Sequence, residues 1–475
     1  MRLSAQGWTA RSVLALLTTA LAGCASMAPT YQRPPAPVAA QFPGAVTVAA
    51  DTGRQAAADI EWQRVFCDPQ LMRLIEIALQ NNRDLRVAVL NIEQARARTQ
   101  VQRASLLPTV SLGVGGGRQQ LVTGGITTFS AGVLFTSYEL DFFGRVRSLS
   151  DAALANELAT VEASKTAQII LIAAVAGNYL ALVTDDELLA LTRQTLDTRV
   201  QSLRLVQLKY DLGAASELDL QQAISLVENA RATQAQVQRQ RQVDENALVL
   251  LLGQPMPADL PARTSLAGIA LGPELPAGLP SDLLERRPDI RGAEQQLIAA
   301  NANIGAARAA FYPQITLTGS AGTLSAELAG VFTSGSWGWG LAPQLLWTLF
   351  DSGRNQAVEQ IAQTSRDVAV AQYDKAIQSA FREVADALAG RATLGEQLRA
   401  QRAQDDADAA RYRLADLRYR NGVASHLDLL DAQRALFATQ QQTLLVQLAQ
   451  LQNQVSLYKV LGGGWSEGAA GGGKP

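Results

Sequence analysis

Residues 210–220 read Tyr210-Asp-Leu-Gly-Ala-Ala-Ser-Glu-Leu-Asp-Leu220, and residues 419–429 read Tyr419-Arg-Asn-Gly-Val-Ala-Ser-His-Leu-Asp-Leu429. In each stretch a glycine able to end a helix precedes a serine with an aspartate three positions on. That is a stop signal followed by a start signal. The two stretches lie 209 residues apart, as do Gly144-Arg145 and Gly353-Arg354. Farther upstream the spacing is 205: Asn82-Arg-Asp-Leu-Arg86 returns as Arg287-Pro-Asp-Ile-Arg291, and Leu107-Pro-Thr-Val-Ser-Leu112 as Tyr312-Pro-Gln-Ile-Thr-Leu317. The chain is written twice, with a four-residue indel between Leu112 and Gly144. A period this long excludes a solenoid and implies a two-fold duplication of one large unit.

Each unit reads helix, β-hairpin, very long helix, tight turn, long return helix. Positions 175, 182, 189, 196, 203 and 210 hold Val, Leu, Leu, Leu, Leu and Tyr; positions 430, 437, 444, 451 and 458 hold Leu, Phe, Leu, Leu and Tyr. A sustained seven-residue stripe is the mark of left-handed coiled-coil packing. Residues 145–211 contain no proline, so one helix of roughly 100 Å is allowed at about 1.5 Å per residue. Gly213 and Gly422 are expected to stop the long helices. Ser216 and Ser425 are expected to cap the return helices, with Asp219 and Asp428 as capping-box partners. Pro288 and Asp289 suit the first turn of the second repeat's opening helix.

The segments between helices read as membrane strands. In residues 336–350 the odd positions include Trp337, Trp339, Leu341, Leu345 and Trp347, while Gly338, Gly340, Ala342 and Gln344 alternate with them. A large apolar face opposite a small or polar one suits lipid outside and water inside. Three of the six tryptophans lie on that stripe, as anchoring at a membrane interface favours. Residues 109–117, 127–142 and 316–323 supply the other strands. Four strands cannot close a barrel, and an open edge in lipid leaves backbone groups unpaired. Other copies must complete the ring: two give eight strands and a filled interior, three give twelve and a lumen. Three is the favoured number.

Composition narrows the function. Forty-one Lys and Arg against 43 Asp and Glu leave a net charge of −2, which lacks the electrostatic footprint of a nucleic-acid binder. One histidine and two cysteines leave little for a metal cluster or a histidine-based triad. No GxSxG, HExxH or paired CxxC occurs, and the GxxxxGK match at residues 468–474 has Pro475 where a nucleotide loop needs Ser or Thr. The expectation is a protein that is not an enzyme and carries no cofactor.

Arg2 and Arg11 flank the approach to an apolar run at residues 13–22, far short of the about 20 residues a spanning helix needs. The run ends Leu21-Ala22-Gly23-Cys24, which resembles the bacterial lipobox. That resemblance implies a lipid on Cys24, and Ala25 in place of Asp resembles lipoproteins sent to the outer membrane. With Cys24 acylated, Cys67 has no disulfide partner and is expected to be a buried small hydrophobe. The expected organisation is a signal peptide at 1–23, a lipid-anchored extended segment at 24–60 and a first repeat at 61–260. A Pro/Gly-rich linker at 261–280, a second repeat at 281–461 and a Gly-rich disordered tail at 462–475 complete it.

Trp62-Gln-Arg-Val-Phe66, Asp68-Pro-Gln-Leu71, Tyr138-Glu-Leu-Asp-Phe-Phe-Gly-Arg145, Arg286-Arg-Pro-Asp-Ile290 and Gly422-Val-Ala-Ser-His-Leu-Asp-Leu-Leu-Asp-Ala-Gln433 together resemble the TolC-like outer membrane factors. Within them the similarity is to the NodT-type lipoproteins serving resistance-nodulation-division efflux systems. It covers about residues 62–461. The resemblance implies a mainly α-helical trimer whose four strands per chain build a twelve-stranded outer-membrane barrel continuous with a periplasmic helical barrel. It further implies partnership with a periplasmic adaptor and an inner-membrane pump, which meet the tip turns at Gly213, Ser216, Gly422 and Ser425. Tyr419, Arg420, Leu427 and Asp431 are implied to constrict the periplasmic mouth, with Asp211 as the first-repeat counterpart. Threefold symmetry would turn one axial aspartate into three, which need a cation or an arginine such as Arg420 to compensate them. A solvated helix face is the plainer reading of those residues, and His426 is expected at the surface. The competing functions are a periplasmic adaptor, disfavoured by the duplicated strand pairs, and a structural coiled-coil envelope lipoprotein, disfavoured by the Trp-lined strand.

Overall fold

A computed structural model of the chain describes residues 26–39, 41–42, 59–122, 124–272 and 286–465. The signal peptide, Cys24, the end of the inter-repeat linker and the last ten residues lie outside the described residues. The elements run α1 (Trp62–Val65), α2 (Pro69–Asn81), α3 (Arg83–Ala104), β1 (Val110–Leu121), β2 (Gly124–Glu139), α4 (Arg145–Asp211) and α5 (Glu217–Leu252). The second repeat follows as α6 (Pro288–Ala309), β3 (Gln314–Ser325), β4 (Trp337–Leu346), α7 (Arg354–Arg420) and α8 (His426–Val460). The duplication is visible residue by residue. Helices α3 and α6 both have 22 residues and start 205 apart; α4 and α7 both have 67 and start 209 apart. The indel falls in the hairpins: Leu121 pairs directly with Gly124, whereas the β3–β4 connection carries a short 3-10 turn at Leu328–Gly330.

The chain divides into two compact units. The first comprises residues up to 36, 90–162 and 291–376. It holds one antiparallel sheet of order β1-β2-β3-β4, so the two repeats' hairpins join along β2 and β3. At the centre of that join Gly132 faces Gly322. A β-carbon on Gly132 would lie 2.5 Å from the Ala321 carbonyl oxygen and 2.6 Å from the Gly322 Cα, so only hydrogen fits there. A bulge interrupts the register between Phe135 and Tyr138, where Ser137 takes φ +54° and its N–H donates to Thr318 Oγ1 at 3.0 Å. Pro343, which has no N–H to donate, sits on the edge strand β4. The helical part packs small against small, Ala152 and Ala155 of α4 meeting Ala299 and Ala302 of α6.

The second unit comprises residues 37–89, 163–290 and 377 onward. The heptad stripes lead into its core: Val175, Leu182 and Leu189 on α4 are buried, as are Leu430, Phe437, Leu451 and Tyr458 on α8. Burial fades toward the turn, with Leu196 and Leu203 partly covered and Tyr210 exposed. Satellite clusters join the layers, Leu188, Leu189 and Val237 with Leu444, and Val206, Leu220 and Ala223 with Leu203 and Ile224. Helix α4 contains an 18-residue window of mean hydropathy 1.8, half of it buried within the protein. Ile172, Val175, Tyr179 and Leu180 of that apolar stretch are fully buried core residues.

Three expectations change. Cys67 is exposed, its Sγ 3.8 Å from the Arg64 carbonyl, because Phe66 and Asp68 on either side are the residues turned inward. The tail does not lose order at Gly462. Gly462, Gly463 and Gly464 are buried, Gln168 donates to the Gly464 carbonyl at 3.0 Å, and Lys165 lies 4.3 Å above the Trp465 ring. Glycine is required there because any side chain on Gly463 would enter the Tyr458 ring. The Trp-rich strand ends at Leu346, so Trp347 lies just beyond it, its indole N–H donating to the Phe311 carbonyl at 3.1 Å.

Candidate functional site

The two tip turns are built alike. Gly213 takes φ +75° and Gly422 +72°, a conformation that costs glycine nothing. Gly213 N–H donates to the Tyr210 carbonyl at 2.9 Å and Ala214 N–H to that of Lys209 at 2.7 Å. Gly422 and Val423 repeat the pair on Tyr419 and Arg418, both at 3.0 Å. These are Schellman endings, which use up the helix's last free carbonyls. Ser216 and Ser425 then form complete capping boxes with Asp219 and Asp428, as the Ser-x-x-Asp spacing requires. The Ser216 hydrogen bonds hold the Asp219 carboxyl below its ordinary range.

The turns also touch each other. Lys209 Nζ donates to the Tyr419 hydroxyl at 3.0 Å and lies 4.3 Å from that ring's centroid. The Tyr419 ring is 5.3 Å from His426, whose Nδ1 is 3.8 Å from Asp219 Oδ1. His426 is therefore buried between the two repeats' turns and not at the surface, and desolvation lowers its pKa. Helix patterning within one repeat could not find it; only the pairing of the turns covers it.

Of the residues expected at the mouth, Arg420, Leu427, Asp431 and Asp211 are exposed and Tyr419 is half-buried. Their charges are matched within the chain. Asp431 pairs with Arg411, and Arg420 pairs with Asp416 one turn back at 2.9 Å. Asp211 accepts from Gln207 at 2.9 Å. The expected compensation of Asp431 by Arg420 is thus replaced by Arg411, which lies across the hairpin on α7. Reach decides it, since an arginine at the end of α7 folds back most easily on its own i−4 neighbour.

Trp337, Trp339, Leu341 and Leu345 occupy one face of β4 by the two-residue period of a strand. All are more than half exposed, and β4 and β1 form the two edges of the sheet. Below the sheet's end, residues 26–33 lie antiparallel along α6. Arg33 Nε and Nη2 grip the two Glu294 oxygens at 2.7 and 2.8 Å, and Tyr31 donates to the same carboxylate at 2.9 Å. Asn301 donates to the Pro29 carbonyl at 2.6 Å, Ala28 covers Gly305, and Ser26 Oγ is 3.3 Å from Ser148 Oγ. The extended segment expected at 24–60 is therefore a docked strap over residues 26–33. It is seated by three residues at seven- and four-residue spacing on one helix face.

A buried carboxyl on α4 faces α5. Asp185 is buried, and burial first, then the neighbouring Asp244 carboxyl, push its pKa from 3.8 up to about 7. Arg241 offsets this only weakly, being committed to Asp186 at 2.6 Å and Glu245 at 2.7 Å. A folded-state pKa raised above the unfolded one gives stability that is complete below about pH 4 and lost as pH rises through 7. Asp185→Asn removes that loss. Thermal unfolding should show the variant gaining on the wild type between pH 4 and 8, by about 1–2 kcal/mol after screening. A difference that does not change with pH would count against a raised pKa at Asp185.

The Outer membrane efflux protein family matches residues 74–254 and again 279–463, one match per repeat. The chain is 48% identical over 455 residues to the solvent efflux pump outer membrane protein SrpC of Pseudomonas putida, covering 94% of this chain and 96% of that one. Among solved structures, a membrane protein from Pseudomonas aeruginosa superposes with a TM-score of 0.85 at 43% identity, over 93% of this chain and 98% of the other. The open state of the Neisseria gonorrhoeae MtrE outer membrane channel does so with a TM-score of 0.84 at 40% identity, over the same shares.

Proposed function

The chain belongs to the outer membrane efflux protein family, is an outer membrane efflux channel with the TolC-like fold, and from that premise we propose how it is assembled, anchored and gated. The protein transports and does no chemistry of its own. Partners that supply cargo follow from that role. We assign them as a periplasmic adaptor meeting the turns at Gly213, Ser216, Gly422 and Ser425, and an inner-membrane pump of the resistance-nodulation-division type.

Assembly is argued from the sheet. Its edges are β1 and β4, and four alternating strands leave those edges antiparallel to each other. Successive copies can then join β4 to β1 without breaking the up-and-down order, and three copies give a twelve-stranded barrel with a lumen. The Trp337, Trp339, Leu341 and Leu345 face meets lipid, and Gly338, Gly340, Ala342 and Gln344 face water. The strap supports anchoring. It leads from Arg33 to Ser26, which packs against Gly144 just after the end of β2. A lipid on Cys24, two residues before the strap, would suit that reading, since the strap's start lies beside Gly144 where β2 has ended and α4 begins. Intact-mass measurement of the mature protein should show a chain beginning at Cys24 with added acyl mass; an unmodified cysteine would refute the anchor.

The gate reading rests on the exposed charges at the second turn, Arg420 and Asp431, beside Tyr419 and Leu427, with Asp211 at the first. The Arg411–Asp431 ion pair across the second hairpin holds its two helices together at the mouth. In planar bilayers Asp431→Ala should raise single-channel conductance several-fold, or lengthen openings, while the trimer stays intact. Unchanged conductance and gating would take Asp431 out of the mouth.

A further inference from the structure

Arg199, on α4, is 3% exposed, yet no carboxylate among the described residues pairs with it. Its Nη1 donates to the Leu226 carbonyl at 2.9 Å and to Asn229 Oδ1 at 3.2 Å, and its guanidinium stands 5.0 Å from the Phe437 ring. Its Nε is buried with no acceptor. Burial works against its ionised form, and the Arg434 guanidinium adds to that effect. A buried guanidinium is ordinarily matched by an anion. Beside it lies a cavity of about 140 Å³ between α4, α7 and α8. Side chains able to donate line it: Gln194 and Thr195 from α4, Tyr412 from α7, and Gln433 and Gln440 from α8, while the Thr198 hydroxyl is spent on the Gln194 carbonyl at 3.0 Å. Gln433 is itself buried, its amide oxygen without a partner, and a turn of the amide about its own axis would aim N–H into the cavity instead.

We propose that this cavity is a binding site for a small monovalent inorganic anion of chloride's size. The space has room for on the order of ten water molecules, so a small anion would sit there partly hydrated, and its lining offers N–H and O–H groups beside the Arg199 guanidinium. Water would satisfy the hydrogen bonds but leave the charge unmatched. Because the lining comes from the first repeat's long helix and the second repeat's hairpin, a bound anion joins the two repeats near the tip turns, about three helical turns from the end of α4.

Bromide is the probe. Crystals of the detergent-purified full chain grown with bromide should give an anomalous peak within hydrogen-bond distance of Arg199. Melting temperature in sodium bromide should exceed that in sodium gluconate of equal ionic strength by about 2–4 °C. Arg199→Gln, if it folds, should lose most of that difference. No peak overturns the proposal, as does a neighbouring copy's carboxylate filling the mouth. A peak without a halide-dependent melting shift means binding at crystal concentration only and also overturns it. If the variant does not fold, the wild-type peak and melting shift decide alone.

Discussion

Arg287→Ala should cost about 3 kcal/mol of folding stability, read as a lowered midpoint in denaturant unfolding of the purified protein. Arg287 is nearly buried and binds three groups at once. Nε and Nη2 hold the two Asp289 oxygens at 3.0 and 2.6 Å, Nη2 also meets Glu383 at 3.0 Å, and Nη1 donates to the Val460 carbonyl at 3.0 Å. Val460 ends α8, so its carbonyl has no partner within the helix and Arg287 supplies one. Removal leaves that carbonyl and two carboxylates without their donor in a low-dielectric pocket. Both carboxylates are about one-third exposed, which keeps the cost below that of a fully buried triad. Arg287→Lys should recover only part, since an ammonium cannot reproduce the planar fork. A loss under about 1 kcal/mol for alanine would show that solvent replaces the fork easily.

Gly132→Val should abolish the assembled form, seen as disappearance of heat-modifiable oligomers from outer-membrane fractions. Gly132 and Gly322 face each other where the two repeats' hairpins join, with backbone close enough that either β-carbon meets the opposite chain. Neither glycine has a positive φ, so the obstacle is space and not backbone strain. Valine forces β2 away from β3 and unpairs the ladder between them. In lipid each unpaired backbone group costs several kcal/mol, and the disruption recurs in every copy around the ring. Retention of wild-type oligomer levels by Gly132→Val would mean the strands can separate without consequence.

The helical frame was legible because its signals are periodic and local. The proline-free run 145–211, the seven-residue stripes and the Gly-then-Ser-x-x-Asp stops each depend on neighbours a few residues away, and the observed bounds of α4 and α7 follow them. Strand pairing was legible through duplication, since each repeat carried its own hairpin. What the sequence hid depends on groups far apart along the chain. His426 is covered by the other repeat's turn, and Arg199 is buried among helices that no periodicity brings together. Arg411 reaches Asp431 across the hairpin because geometry favours it over Arg420. Cys67 faces outward because its irregular segment happens to turn Phe66 and Asp68 inward, and irregular segments have no period to read.

The strap over α6 has a consequence for the order of events in making the protein. Glu294, Asn301 and Gly305 are its seat, so residues 26–33 have nowhere to settle until the chain has been synthesised some 270 residues farther on. An early part of the chain is among the last to be placed. Throughout that interval residues 26–33 remain unseated, and their seating closes a loop of roughly 270 residues.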